Sequence, residues 1–135
     1  LHHLQMATEL LGKAHAWRHG PQPMTHVAFV PFFRSLVSNR RAQNQLGFAR
    51  RNEAWRRLIR TSIPLAQQVE QLAPTLAIDR PNPEYPWPRD DPADAPAEFT
   101  FEIWRALQQT SAGRRFVSLV ERLLQSRRRF CSVPR

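Results

Sequence analysis

The chain is short of nearly every feature that marks an enzyme, a secreted protein or a membrane protein. It has a single cysteine, Cys131, so neither an internal disulfide nor a thiolate metal cluster can form. An intracellular, cytoplasmic setting is therefore expected. Its four glycines, Gly12, Gly20, Gly47 and Gly113, are isolated, which excludes a glycine-rich phosphate loop. The longest apolar run, at 27–33, contains Pro31 and falls far short of the roughly 20 residues of a membrane span. No signal-peptide core opens the chain. It begins at Leu1 rather than Met, as expected where residues are missing or removed ahead of it.

Catalytic constellations are equally scarce. The five histidines are His2, His3, His15, His19 and His26. His15 and His19 share a helical i, i+4 spacing, but no HExxH surrounds them and the nearest acid, Glu9, lies well upstream. A zinc site would need further ligands from distant chain, so neither metal nor other cofactor is expected. Arg18 and His26 are separated by seven residues, outside the Arg-x4–6-His spacing that small helical toxin-like ribonucleases share. Cys131 follows a run of arginines that would lower its pKa, yet it sits in a C-terminal tail and reads as incidental. Asp90-Asp91 belongs to a loop and reads as solvent-facing. The chain is expected not to be an enzyme.

Lysine is scarce too, and here the shortage exposes what is abundant. Of twenty basic residues nineteen are arginine, against eleven acids, for a net +9 in 135 residues. The hydrophobic fraction of 41% and charged fraction of 23% are those of a folded domain rather than a disordered chain. The charge is zoned. Residues 1–20 carry +1; 21–78 carry +6, from eight arginines against Glu53 and Glu70. Residues 79–98 carry −4; 99–135 carry +6, from eight arginines against Glu102 and Glu121.

The apolar spacing predicts an all-α bundle of five or six helices in one domain. The N-terminal helices occupy 1–73, an acidic proline-rich loop 74–97, a C-terminal helical pair 98–130 and a tail 131–135. Leu4, Ala7, Leu11 and Ala14 mark a first helix that stops at Gly20-Pro21. Val27, Val30, Phe33, Leu36 and Val37 mark a second, kinked at Pro31 or starting there. Residues 40–61 form the most polar helix, in one piece or two. The chain can be recapped near Thr61-Ser62, with Pro64 in a new first turn and a short helix ending before Pro74. Residues 74–97 hold seven of the twelve prolines and must be extended loop. Within it Tyr85 and Trp87 are expected to clamp the loop onto the bundle. Phe99, Ile103 and Leu107, then Phe116, Leu119, Val120, Leu123 and Leu124, mark a last pair of helices broken at Gly113.

Two arginine groups are candidate binding surfaces. Arg115, Arg122 and Arg129 are spaced i, i+7, i+14, drift only about 20° per heptad, and so form one stripe with Ser118 and Gln125. Their separation is about 10 Å, which suits a run of phosphates, since Arg donates bidentately and Ser or Gln adds neutral donors. The competing reading is a solvated helix face, but such a face usually mixes signs. Arg50, Arg57 and Arg60 belong to a second cluster with Arg51 and Arg56; Glu53 can pair with Arg56 and Arg57 at i+3 and i+4. Nucleic acid, RNA or single-stranded DNA, is the partner this charge implies.

The segment Phe29-Val30-Pro31-Phe32-Phe33-Arg34-Ser35-Leu36-Val37, followed by Gln45-Leu46-Gly47-Phe48-Ala49, resembles the proline-containing second helix and following helix of one family. That family is the small α-helical subunit of multisubunit CRISPR effector complexes, types III and IV. The resemblance covers about 20 residues; the C-terminal half has no counterpart in it. It implies a helical, non-catalytic subunit of a ribonucleoprotein complex in antiviral defence. It further implies contacts with other subunits and with copies of itself, and a target or displaced strand held by its backbone. Two alternatives remain: a helix-turn-helix DNA-binding regulator built on residues 108–115, and a helical interaction module for an acidic protein.

Overall fold

The computed structural model describes residues 1–20, 27–73, 76, 81–84 and 101–128. Arg129, Cys131, Tyr85, Trp87 and most of the proline-rich segment lie outside them. The described residues form six α-helices and no strand: α1 (His2–Ala16), α2 (Phe29–Ser35), α3 (Arg40–Gln45), α4 (Asn52–Glu70), α5 (Glu102–Gln109) and α6 (Ser111–Arg128). The protein is a compact all-α bundle. Helix α2 packs against α1 and α4, while α6 packs against α5, α4 and α1.

The core is built where these helices cross. Phe29, Phe33 and Phe116 interlock, with ring centroids 5.4 to 6.4 Å apart, in the offset geometries aromatic rings prefer. Trp55 is fully buried, and its indole N–H donates to the Leu36 carbonyl at 2.8 Å, so the largest core side chain leaves no polar atom unpaired. Helix α1 comes so close to α2 that a Cβ on Gly12 would sit 2.5 Å from the Ala28 carbonyl carbon. Its buried face is Gln5, Thr8, Leu11 and Gly12, not the apolar stripe expected; Leu10 and Ala14 face outward. Thr8 satisfies its hydroxyl on the Gln5 carbonyl at 2.7 Å.

Helix α2 begins just before Pro31, which occupies its first turn, where a missing N–H costs nothing. The two N–H groups ahead of that proline, Phe29 and Val30, both donate to Glu70 Oε1 at 2.9 Å. A carboxylate at the far end of α4 thus replaces the local cap this helix lacks.

Of the two forms expected for the polar stretch at 40–61, the structure has two helices, broken at 46–51. Two sequence expectations need correction. There is no recapping near Thr61-Ser62: α4 runs unbroken through Pro64. Pro64 is exposed, so the Arg60 carbonyl it deprives of a partner faces water, and the helix continues. Finally, Gly113 does not break the last pair. The break is at Thr110, whose hydroxyl accepts from the Gly113 N–H at 2.9 Å as an N-cap. Gly113 lies inside α6 because α5 crosses there; a Cβ would meet the Ala106 carbonyl oxygen at 2.2 Å. Of the proline-rich segment, residues 81–84 lie near α1: Asn82 is buried and Glu84 stands 3.5 Å from His2 Nδ1.

Candidate nucleic-acid interface

The turn between α3 and α4 is the hinge of the candidate site, and its shape follows from its sequence. Helix α3 starts at Asn39, whose side chain accepts from the Ala42 N–H at 3.0 Å. It ends in a Schellman motif: Phe48 N–H returns to the Gln43 carbonyl at 2.9 Å and Gly47 N–H to Asn44 at 3.1 Å. This requires the left-handed backbone that Gly47 adopts, φ 81°. Buried Gln43 fixes the turn from inside, donating to the Phe48 carbonyl at 2.8 Å and to Asn52 Oδ1 at 2.6 Å. The Leu46 carbonyl, at the C-cap of α3, accepts from the Arg122 guanidinium of α6, a cation at a helix C-terminus.

That contact links the α6 stripe to the turn that leads into the α4 arginines. Gly47 and Arg50 are three residues apart, so Arg50 lies within about 11 Å of the turn that Arg122 touches. Arg50, Arg57 and Arg60 are exposed, as are Arg51 and Arg56. On α6, Arg115, Ser118, Arg122 and Gln125 are all exposed, while Phe116, Leu119, Val120 and Leu123 fill the opposite, buried face. The helix therefore presents the predicted stripe outward; Arg129, its third arginine, lies outside the described residues.

These arginines are not tied up in ion pairs. Among the described residues no carboxylate comes within 4.0 Å of Arg50, Arg51, Arg56, Arg57, Arg60 or Arg115. The expected pairs of Glu53 with Arg56 and Arg57 do not form. The ion pairs seen involve Lys13 with Glu9 and His2 with Glu84, neither on a basic face. Arg51 sits over the Phe48 ring, 5.7 Å from its centroid, which holds its guanidinium in place while leaving its edge open. Arg114 donates to the Gln108 carbonyl at 3.0 Å and so braces the α5–α6 corner.

Among the described residues no group of three His, Cys, Asp or Glu is placed to hold a metal, and no helix is long and apolar enough to cross a membrane. The α5–α6 connection is the single residue Thr110, shorter than the three- to four-residue turn of a helix-turn-helix. Two arginines that the sequence did not single out, Arg18 and Arg41, flank a cleft beside α6. They stand far apart in the chain and line one cleft only because the folded bundle brings the end of α1 and α3 to it.

No family model matches the chain, and neither a curated protein nor a solved structure does.

Proposed function

We propose that this protein is a non-catalytic nucleic-acid-binding subunit that grips the phosphate backbone of RNA or single-stranded DNA. The arginines of α6, of the α3–α4 turn and of α4 do the gripping: Arg115 and Arg122 with Ser118 and Gln125, then Arg50, Arg57 and Arg60. The observation that carries this reading is that, among the described residues, the exposed guanidinium groups of those faces form no ion pair within 4.0 Å. Arginines held apart from acids retain their bidentate donors for phosphate. Arg122 spends one donor on Leu46, and a guanidinium has five.

Membership in a larger ribonucleoprotein assembly, of the CRISPR small-subunit kind, belongs to the same proposal. What supports it is the outer face of α1, where Leu10 is 61% exposed and Met6 43%, with Trp17 at 66% just beyond the helix. Large apolar side chains gathered on one face of a highly charged protein mark a contact surface for another protein chain.

The test is the nucleic acid that copurifies with the protein expressed in cells, followed by the triple reversal Arg50→Glu, Arg57→Glu, Arg115→Glu. The proposal expects bound RNA or DNA in the wild type and its loss in the variant. A wild type free of nucleic acid that also fails to bind added strands would overturn it.

A further inference from the structure

The outer side of α1 is symmetric about its own midpoint. Of residues 1–17 five are exposed: His3, Met6, Leu10, Ala14 and Trp17. They stand at Leu10 and at four and seven residues to either side of it. At 100° per residue all five fall within about 40° of the line through Leu10. Trp17 keeps to that line because the 3-10 turn Trp17–His19 continues α1 on helical backbone, φ −60° and ψ −23° at Trp17. The opposite side of α1 is occupied, with Gly12 against Ala28 and Phe29.

A stripe spaced in this way fits a second copy of itself. Turned end for end about Leu10, it sets Leu10 on its own counterpart. Met6 then faces the small Ala14 of the other copy, and the His3 ring faces the Trp17 ring. Large lies against small and ring against ring, which lets two helices close on each other. A parallel pair would set Trp17 on Trp17 and leave a gap where Ala14 meets Ala14.

The charges agree. Glu9 and Lys13 are the only acidic or basic side chains other than histidine among residues 1–17, and they pair with each other one turn apart. Both lie on the same flank of the stripe. A two-fold turn brings that flank against its counterpart with the two signs in reversed order. The whole excess of +9 therefore lies outside residues 1–17. A neutral, apolar face on such a protein is where two copies meet with least repulsion, whereas an acidic partner would be drawn to the arginine faces.

The extent sets the strength. The stripe from His3 to Trp17 is one helix wide and about 21 Å long. Pairing it buries less than the ~1,200 Å² of a standard-size complex, so the dimer is weak, with a dissociation constant in the micromolar range.

We infer that two copies of this protein pair through α1, antiparallel, about a two-fold axis at Leu10. The inference rests on the reading of this face as a contact surface and names its occupant; it is independent of nucleic-acid binding. Such a pair is self-complementary and closed, so assembly through this face stops at two.

The test is sedimentation equilibrium of the full chain, freed of nucleic acid, across the micromolar range. A monomer–dimer equilibrium without larger species is expected. It should tighten with added salt, as repulsion between two +9 chains is screened. Leu10→Glu sets two carboxylates face to face at the axis and should weaken the dimer at least tenfold. Leu10 is exposed, so circular dichroism should show its helix content unchanged. Orientation is read in a Cys131→Ser background: chains with Met6→Cys and chains with Ala14→Cys, mixed and oxidised, should cross-link to each other and not to themselves. A chain monomeric throughout, a dimer indifferent to Leu10→Glu, or Met6→Cys chains that cross-link to themselves would overturn the pairing. A monomer that copurifies with a different protein and loses it on Leu10→Glu also overturns the pairing, and leaves the contact-surface reading standing. A dimer that binds no strand sinks the backbone-binding proposal and leaves the pair; a monomer that binds strands does the reverse.

Discussion

The Arg122 guanidinium of α6 donates to the Leu46 carbonyl, 76 residues earlier in the chain. The carbonyl is that of the α3 C-cap residue, and the arginine lies in the α6 stripe with Arg115. One hydrogen bond thus serves both stability and the arrangement of the basic surface. Arg122→Ala should lower stability by about 1–2 kcal/mol, the range for a partly exposed bond from a charged donor, measured by urea unfolding. Arg122→Lys should recover part of that loss, since an ammonium can still reach a carbonyl. An alanine variant as stable as the wild type would show that the contact holds nothing.

Glu70 accepts from two backbone N–H groups at the start of α2. Glu70→Ala leaves both donors without a protein partner and should cost about 2 kcal/mol. Glu70→Gln keeps an accepting oxygen and should cost about half as much. Thermal melts of the three proteins should therefore rank wild type, Gln, Ala, and a glutamine variant no better than alanine would contradict the capping role.

Gly113 gives a prediction of opposite sign to helix propensity. In an exposed helix interior Gly→Ala gains about 1 kcal/mol. Here the new Cβ would lie 2.2 Å from the Ala106 carbonyl oxygen and 2.5 Å from the Leu107 Cα. Both neighbours are backbone and cannot swing away, so α5 must shift. Gly113→Ala should destabilise by about 2–3 kcal/mol, read from the unfolding midpoint at unchanged slope.

The α4 arginines should show a conflict between stability and binding. Arg57 and Arg60 are i, i+3 neighbours and Arg56 and Arg60 i, i+4, and Glu53, one turn ahead of Arg56 and Arg57, forms no ion pair with either within 4.0 Å. Like charges at these spacings cost a few tenths of a kcal/mol each. The double change Arg57→Gln, Arg60→Gln should raise stability by roughly 0.5 kcal/mol at low salt, with the gain fading as salt screens it. The same protein should bind single strands more weakly. A variant that is both less stable and an equal binder would show these arginines to be structural.

The C-terminal pair was legible because Phe116, Leu119, Val120 and Leu123 repeat at helical spacing and are buried together. The same geometry turned Arg115, Ser118, Arg122 and Gln125 outward, so that stripe was legible too. What sequence could not give were relations set by distant chain. The start of α2 depends on Glu70, some 40 residues away. Pro64 reads as a helix break, yet on the exposed side of α4 it is tolerated. Gly113 reads as a stop until the α5 backbone is seen crossing it. That Arg18 and Arg41 share a cleft carries no linear signal, because only packing creates it.

The most direct test of the central claim is the salt dependence of binding to a mixed-sequence single strand. Contact with about five phosphates, through Arg50, Arg57, Arg60, Arg115 and Arg122, predicts a slope of about −3.5 in log K against log salt. Each Arg→Gln change among them should flatten it by about 0.7. A slope near zero, or a slope unmoved by these substitutions, would contradict the account.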